Sequence, residues 1–326
     1  MSLPFVKTSL TDVTKNLGTQ FKVLFKNEYE QPCQSFKLRG IGNLIYRSII
    51  DAENLNKTVV AFSSSGGNAG IAAAYGSKFY NIACTVVLPI TSSPTVRETL
   101  KSLGATVIVH GKHWGEADAH VQTLISQVDE SVYPIYVHPF DNPLIWDGHA
   151  TIIDDLVNDV DDITKVKGIV CSCGGGGLYN GIYQGLTQNN LSIPILTVET
   201  KQAPKFSQAL LQNKVVQVEV NTLVTTLGSP YLSQKSFDNY HNKDIKTYVK
   251  VIDDLDAIAG SVDFYDMFGT IVEPSCGATI SYATRLLSDL PFGDLGPDDT
   301  VIFIVCGGSA TDLEALNKYR SLVENH

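Results

Sequence analysis

The sequence predicts an α/β protein of open, parallel, doubly wound sheets, and three observations carry that expectation. Short apolar runs rich in valine and isoleucine alternate with amphipathic runs along most of the chain, the order that βα winding produces. Three of those runs end in glycine- and serine-rich turns, and ligands of such sheets bind beyond the carboxyl ends of the strands. At 326 residues the chain is also too long for one small core. With no internal repeat, low-complexity segment or long linker, two interleaved sheets fit better than two beads on a string.

Taken in order, residues 21–25 form a short apolar alternation. Leu38, Ile41, Ile45 and Ile49 then recur at helical spacing and place an amphipathic helix after the turn at Pro32. Residues 58–62 read as a buried strand running into Ser63-Ser64-Ser65-Gly66-Gly67-Asn68-Ala69-Gly70, with a small-residue helix continuing through Ala74. A strand at 84–88 stops at Pro89, a helix at 96–103 stops at Gly104, and a strand at 106–109 follows. Residues 114–128 read as helix and 136–138 as the end of a strand. A second series starts near residue 141, with a helix at 152–160, a strand at 168–173, a glycine run and a helix at 178–185. Strands at 195–198 and 301–305 end at Glu199 and at Cys306-Gly307-Gly308-Ser309.

Composition excludes several classes. Hydrophobic residues make up 44% and charged residues 18%, an ordinary soluble globular balance. The formal net charge is −10 and the basic residues are scattered, so nucleic acid and anionic membrane are poor partners. No apolar run approaches the length of a membrane span. Residues 1–20 hold no arginine and no apolar stretch of the signal-peptide kind, so the cytoplasm is the expected compartment. Six cysteines without a CxxC pair give no disulfide framework, and Cys84, Cys171, Cys276 and Cys306 read as buried thiols. His110 and His113 lack a third ligand nearby in sequence and do not read as a metal site.

Three stretches carry chemistry. In Gln31-Pro32-Cys33-Gln34-Ser35-Phe36-Lys37-Leu38-Arg39-Gly40 a lysine opens the amphipathic helix between Phe36 and Leu38. So crowded an entry lowers an amine's pKa by desolvation and suits a base or imine former; a solvated helix-start lysine is the plain alternative. Gly174, Gly175, Gly176 and Gly177 follow a buried strand and precede a helix, so bare backbone N–H groups and the positive helix end can surround a phosphate. A dinucleotide fingerprint fails, because Tyr179 and Asn180 stand five beyond Gly174 and Gly175. A P-loop fails because Ile182 follows Gly181. A flexible glycine turn remains the alternative. Ser64-Ser65-Gly66-Gly67-Asn68 offers hydroxyls, amides and a carboxamide at another helix start, which fits a small carboxylate or a simple N-cap and turn.

Together these features resemble the fold-type II pyridoxal-phosphate enzymes, and specifically the eukaryotic L-serine/L-threonine dehydratases. The resemblance spans nearly the whole chain. It is carried by Ser35-Phe36-Lys37 with Arg39-Gly40-Ile41-Gly42, by the serine–glycine loop through Gly70, and by His138-Pro139-Phe140-Asp141-Asn142-Pro143 with Ile145-Trp146 and Gly148-His149. It continues through the four glycines and Leu178, then Val272-Glu273-Pro274 with Cys276-Gly277-Ala278, and ends in Cys306-Gly307-Gly308-Ser309. The resemblance implies two open twisted α/β domains of the tryptophan synthase β-like kind with the active site in the cleft between them. A small domain, 36–138, is inserted in a large cofactor-phosphate-binding domain, 1–35 and 139–326. It implies a homodimeric lyase taking L-serine, and L-threonine, to pyruvate or 2-oxobutanoate and ammonia. Serine racemase, a β-replacing synthase and a cofactor-binding protein without activity are the alternatives.

By the same resemblance Lys37 is the point of covalent attachment of pyridoxal 5'-phosphate and the base for the Cα proton. Phe36 covers one face of the pyridine ring and Asn68 bonds the ring hydroxyl. Ser65, Gly66 and Asn68 receive the substrate carboxylate, Gly174, Gly175, Gly176 and Gly177 hold the phosphate, and Cys306 faces the pyridine nitrogen. A thiol there makes the ring a shallower electron sink than a carboxylate would, which favours prompt loss of the β-hydroxyl. Relatives also hold a monovalent cation such as K+. The matching positions are Gly174, Glu199, Ala203, Leu227 and Ser229, although Lys201-Gln202 departs from the usual sequence among them. Cys33-Gln34 stands in place of the commoner Ser-Gly before Ser35, and Thr226 stands where relatives carry a smaller residue beside the cofactor. Racemases of this kind place a serine directly before the Gly-Asn pair, and here that position is Gly66. The chain ends soon after the Cys306 turn, so no effector domain is expected.

Overall fold

The computed structural model describes residues 2–325. Among them the strands in chain order are β1 (Leu10–Asp12), β2 (Lys22–Asn27), β3 (Thr58–Ser63), β4 (Ala83–Leu88), β5 (Thr106–Val109), β6 (Val132–Val137), β7 (Val166–Ser172), β8 (Ile195–Thr200), β9 (Thr247–Ile252) and β10 (Thr300–Val305). They form two sheets. One runs β1-β2-β10-β7-β8-β9 and is parallel except for β1; the other runs β5-β4-β3-β6 and is parallel throughout. Apolar β10, every residue of which is buried, has a neighbour strand on each side, as expected of a parallel sheet covered on both faces.

The chain divides into two compact units. One takes the residues up to Val6 with Gln31–Gly148, and the other takes Lys7–Glu30 and the chain from His149 onward. The divisions fall near residues 30 and 148, whereas the sequence reading set them at 35/36 and 138/139. Local packing explains the shift. Gln31 exchanges two hydrogen bonds with the Val6 backbone, and Cys33 and Ile145 join the core that holds the helix Lys37–Asn54. In that core Leu38, Ile41, Ile45 and Ile49 pack with Ala72, Val86 and Val137, so the helical spacing read from the sequence is the buried stripe.

Several elements differ from the sequence reading. The strand placed at 136–138 is β6, which begins at Val132 and stops before His138. Pro134 weakens the strand signal, and the sheet tolerates it because β6 is an edge strand. The edge strands β1 and β9 were not expected, nor were the long helices Asp254–Phe268 and Pro274–Thr284. Those two helices pack backbone to backbone: a Cβ on Gly277 would lie 2.0 Å from the Ala257 carbonyl oxygen.

Candidate active site

Lys37 is the first residue of its helix and is half-buried. The Ser35 side chain and carbonyl accept from the Lys37 and Leu38 amides at 3.4 and 3.2 Å, which fixes the helix entry. The Lys37 Nζ lies 5.2 Å from the centre of the Phe36 ring and donates to the Pro139 carbonyl at 2.5 Å. Gln34 has φ of 58°, the left-handed region that glycine enters freely and other residues enter at a cost of roughly 1–2 kcal/mol.

The turn that presents Pro139 is organised by His138. Its Nδ1 accepts from the Phe140 and Asp141 amides at 3.2 and 2.7 Å, and its ring makes edge contacts with Trp114, Tyr136 and Phe140. Burial pushes the imidazole down to about 4; Asp118 opposes the shift and Lys37 adds to it. Asp118 in turn accepts from Ser64 Oγ at 2.7 Å and from the Tyr136 hydroxyl at 2.6 Å. This carboxylate therefore ties the serine loop to β6, a role the sequence did not announce.

The serine loop leaves β3 and enters the helix Asn68–Phe79. Ser65 Oγ accepts from the Gly67 amide at 3.3 Å, and Asn68, 9% exposed, opens the helix. Ser65, Gly66 and Asn68 thus lie within one short turn at a helix N-terminus, where amides and the helix dipole favour an anion. A Cβ on Gly66 would lie 2.2 Å from Ser92 Oγ, so the Ser92 hydroxyl already fills that space.

In the other unit, Gly174, Gly175 and Gly176 lead from Cys173, just past β7, into the helix Gly177–Gln188. The Gly175 carbonyl accepts from the Ser233 amide at 2.9 Å, and the Gly176 carbonyl accepts from the Asn180 amide at 2.8 Å. With the carbonyls used inward, the amides of Gly175, Gly176 and Gly177 have no protein acceptor among the described residues and remain donors for an anion. Gly176 has φ of 98°, and a Cβ there would meet Ser236 Oγ at 2.0 Å, so glycine is required. This cradle has the donor chemistry of a phosphate site.

Cys306 follows β10, is 4% exposed, and has its Sγ 3.6 Å from Ser172 Oγ. Nearby in the chain, Ala310 donates its amide to Glu273 Oε1 at 2.9 Å, while Glu273 Oε2 accepts from Thr226 Oγ1 at 2.7 Å and Ser275 Oγ at 3.4 Å. The Thr226 side chain is thus turned to a carboxylate. Glu273 belongs to the Val272-Glu273-Pro274 motif, and its bonding to the remote residues Thr226 and Ala310 shows only in the structure.

The residues matched to a cation site all lie in this same unit. The Glu199 carboxylate is fully buried and accepts from the Phe206 and Ser207 amides, each at 2.8 Å. The carbonyls of Ala203 and Leu227 both accept from the Nζ of Lys205, at 2.9 and 2.8 Å. Ser229 donates its amide to the Leu227 carbonyl at 2.8 Å and its hydroxyl to the Tyr231 carbonyl at 2.7 Å. A Cβ on Gly174 would lie 3.5 Å from the Thr226 carbonyl oxygen. Sequence reasoning passed over Lys205, because its bonds to Ala203 and Leu227 join segments that no local spacing connects.

Two mainly parallel α/β sheets, a lysine opening a helix, and a glycine cradle after a central strand define the architecture of fold-type II pyridoxal-phosphate enzymes. Comparison with known proteins agrees: the family model described as pyridoxal-phosphate dependent enzyme matches residues 4–307, and the chain belongs to that family. The chain is 40% identical over 330 residues to the catabolic L-serine/threonine dehydratase of Saccharomyces cerevisiae, covering 98% of this chain and 91% of that one. Among solved structures, an L-serine ammonia-lyase from Rhizomucor miehei superposes with a TM-score of 0.87 at 29% identity, covering 98% and 99% of the two chains. Maize serine racemase superposes with a TM-score of 0.81 at 25% identity, covering 99% and 94%.

Proposed function

We propose that the protein dehydrates and deaminates L-serine, and L-threonine, to pyruvate or 2-oxobutanoate and ammonia. The observation that carries this reading is the 40% identity to the yeast dehydratase across 98% of the chain. The half-buried Lys37 at a helix entry fits the reacting group, and the 174–177 glycine cradle fits a phosphate. Bound pyridoxal phosphate supplies an electron sink that weakens the bonds at the substrate Cα.

In this reading Lys37 would hold the cofactor covalently, and its amine would serve as the base for the substrate Cα proton. The Pro139 carbonyl, which accepts from Nζ, orients the amine, and His138 fixes that carbonyl through the Phe140 and Asp141 amides. Phe36 packs beside the amine. Ser65, Gly66 and Asn68 would receive the substrate carboxylate, and Asn68 would also bond the ring hydroxyl. Gly174, Gly175, Gly176 and Gly177 would hold the phosphate through their amides, and Cys306 would present a thiol to the pyridine nitrogen. Departure of the β-hydroxyl as water leaves 2-aminoacrylate from serine. Its hydrolysis consumes one water and yields pyruvate and ammonia, so the net change is loss of ammonia. A homodimer in the cytoplasm belongs to the same reading; among the described residues no helix is long and apolar enough to cross a membrane.

The test is to load the purified protein with pyridoxal phosphate, supply L-serine or L-threonine, and follow keto acid and ammonia. Borohydride reduction and peptide mapping should find the cofactor on Lys37. A label on another lysine overturns the residue assignment, and a Lys37 label without keto acid overturns the reaction.

A further inference from the structure

Lys205 is fully buried, an unusual position for a long cationic side chain without a dedicated set of acceptors. It has such a set. Its Nζ donates to the Ala203 carbonyl at 2.9 Å and the Leu227 carbonyl at 2.8 Å, and the buried Glu199 carboxylate lies in its electrostatic environment together with Asp254 and the Cys173 thiol. Glu199, Ala203 and Leu227 are three of the five positions at which the family resemblance puts a monovalent cation. Two backbone carbonyls and a carboxylate are hard oxygen donors of the kind that would suit K+. Here both carbonyls are already turned to an internal ammonium.

We propose that the Lys205 ammonium occupies the place of the monovalent cation, so that this protein needs none. A side-chain ammonium and K+ carry the same charge. Lys205, however, reaches its oxygens from the adjoining helix Lys205–Leu211 and cannot dissociate into solvent. Its two bonds join the turn after β8, at Ala203, to the 3-10 turn Thr225–Leu227. The second turn touches the glycine cradle, since a Cβ on Gly174 would lie 3.5 Å from the Thr226 carbonyl oxygen and 3.8 Å from Leu227 Cα. Lys205 thereby holds the wall of the cradle with a covalently tethered charge. The donor set does not fit an added cation beside it, because a second positive charge would compete for the same two carbonyls at repulsive distance.

The test compares holoenzyme in KCl with holoenzyme in tetramethylammonium chloride of equal ionic strength, reading the thermal unfolding midpoint and kcat/KM, for wild type and for Lys205→Ser. Wild type should show the same midpoint and the same kcat/KM in both salts. The Lys205→Ser variant, which opens the space and keeps the oxygens, should lose about ten- to hundredfold in kcat/KM in tetramethylammonium, the scale of loss when a supporting contact is misplaced. Its midpoint should rise with KCl concentration, as binding linkage requires. A wild-type midpoint that rises in KCl, or thallium ions found at the Ala203 and Leu227 carbonyls of soaked wild-type crystals, overturns the proposal. A folded Lys205→Ser protein indifferent to K+ overturns it as well. If that variant does not fold, the wild-type salt comparison and the thallium soak decide alone. No turnover in either salt would strike the substrate assignment and leave the thermal comparison standing.

Discussion

Acid should loosen the turn that presents the Pro139 carbonyl, and His138 is the residue through which it acts. In the folded chain burial is the main cause that lowers this imidazole from 6.5 to about 4, with Asp118 opposing and Lys37 reinforcing. Between those two values the unfolded chain binds a proton that the folded chain refuses, so stability falls as pH falls. There is no cost above about pH 6.5 and the full cost is reached below about pH 4. A difference of that size corresponds to roughly 3 kcal/mol. The variant His138→Asn cannot titrate, yet its side-chain oxygen can accept from the Phe140 and Asp141 amides as Nδ1 does. Near neutrality wild type should be the more stable, because asparagine loses the edge contacts with Trp114, Tyr136 and Phe140. Urea unfolding of both proteins from about pH 7 down to about pH 4.5 should show the gap shrinking by about 2–3 kcal/mol. Carboxylates common to both chains cancel in that difference. A gap that stays flat with pH would refute the reasoning.

Three further outcomes follow from distances in the structure. Gly176→Ala sets a methyl against Ser236 Oγ at a φ of 98°, so cofactor affinity should fall about tenfold or more, the equivalent of roughly 1–3 kcal/mol of strain, as measured by fluorescence titration of pyridoxal phosphate. With glycine at position 66, D-serine should form far more slowly than pyruvate. Because Ser92 Oγ stands 2.2 Å from the Gly66 Cβ position, racemisation should be gained by Gly66→Ser combined with Ser92→Ala and not by Gly66→Ser alone; chiral chromatography checks both. L-serine should be preferred to L-threonine, and Thr226→Ala, which frees Glu273 Oε2 of one donor, should narrow the ratio of kcat/KM within the roughly 10–200-fold that one methyl can command; an unchanged ratio removes Thr226 from substrate selection.

What the sequence disclosed, and what it hid, follows from how each element is buried. The strands β3, β7 and β10 were legible because apolar runs covered on both faces end in glycine turns, and the helix Lys37–Asn54 because one face of it is polar. The helix Pro274–Thr284 is buried along most of its length and packs by backbone contact through Gly277, so it has little polar face to set a period. Edge strand β9 carries Lys250 and is mostly half-buried, which blurs its pattern. At the candidate site, the local structure marked by a short contiguous motif was legible: the helix entry at Lys37, the serine loop and the four-glycine turn. Lys205, Asp118 and Glu273 could not. Each acts by joining segments remote in sequence, such as Ser64 to Tyr136 or Thr226 to Ala310, and no local spacing encodes such a bond.

The position of β10 has a consequence for how the chain is made. All four strands of the β5-β4-β3-β6 sheet lie between residues 58 and 137, so that sheet has its full complement of strands before β7 is made. The other sheet lacks its middle until residues 300–305 emerge, because β10 is the member that separates β2 from β7. During synthesis β2 and β7 must wait with apolar, unpaired edges facing one another's missing neighbour, the kind of surface that invites aggregation. Closure then spans nearly the entire chain length, a connection that topology makes slow. A newborn molecule therefore passes through a stage in which one sheet has all of its strands while the other still lacks its middle.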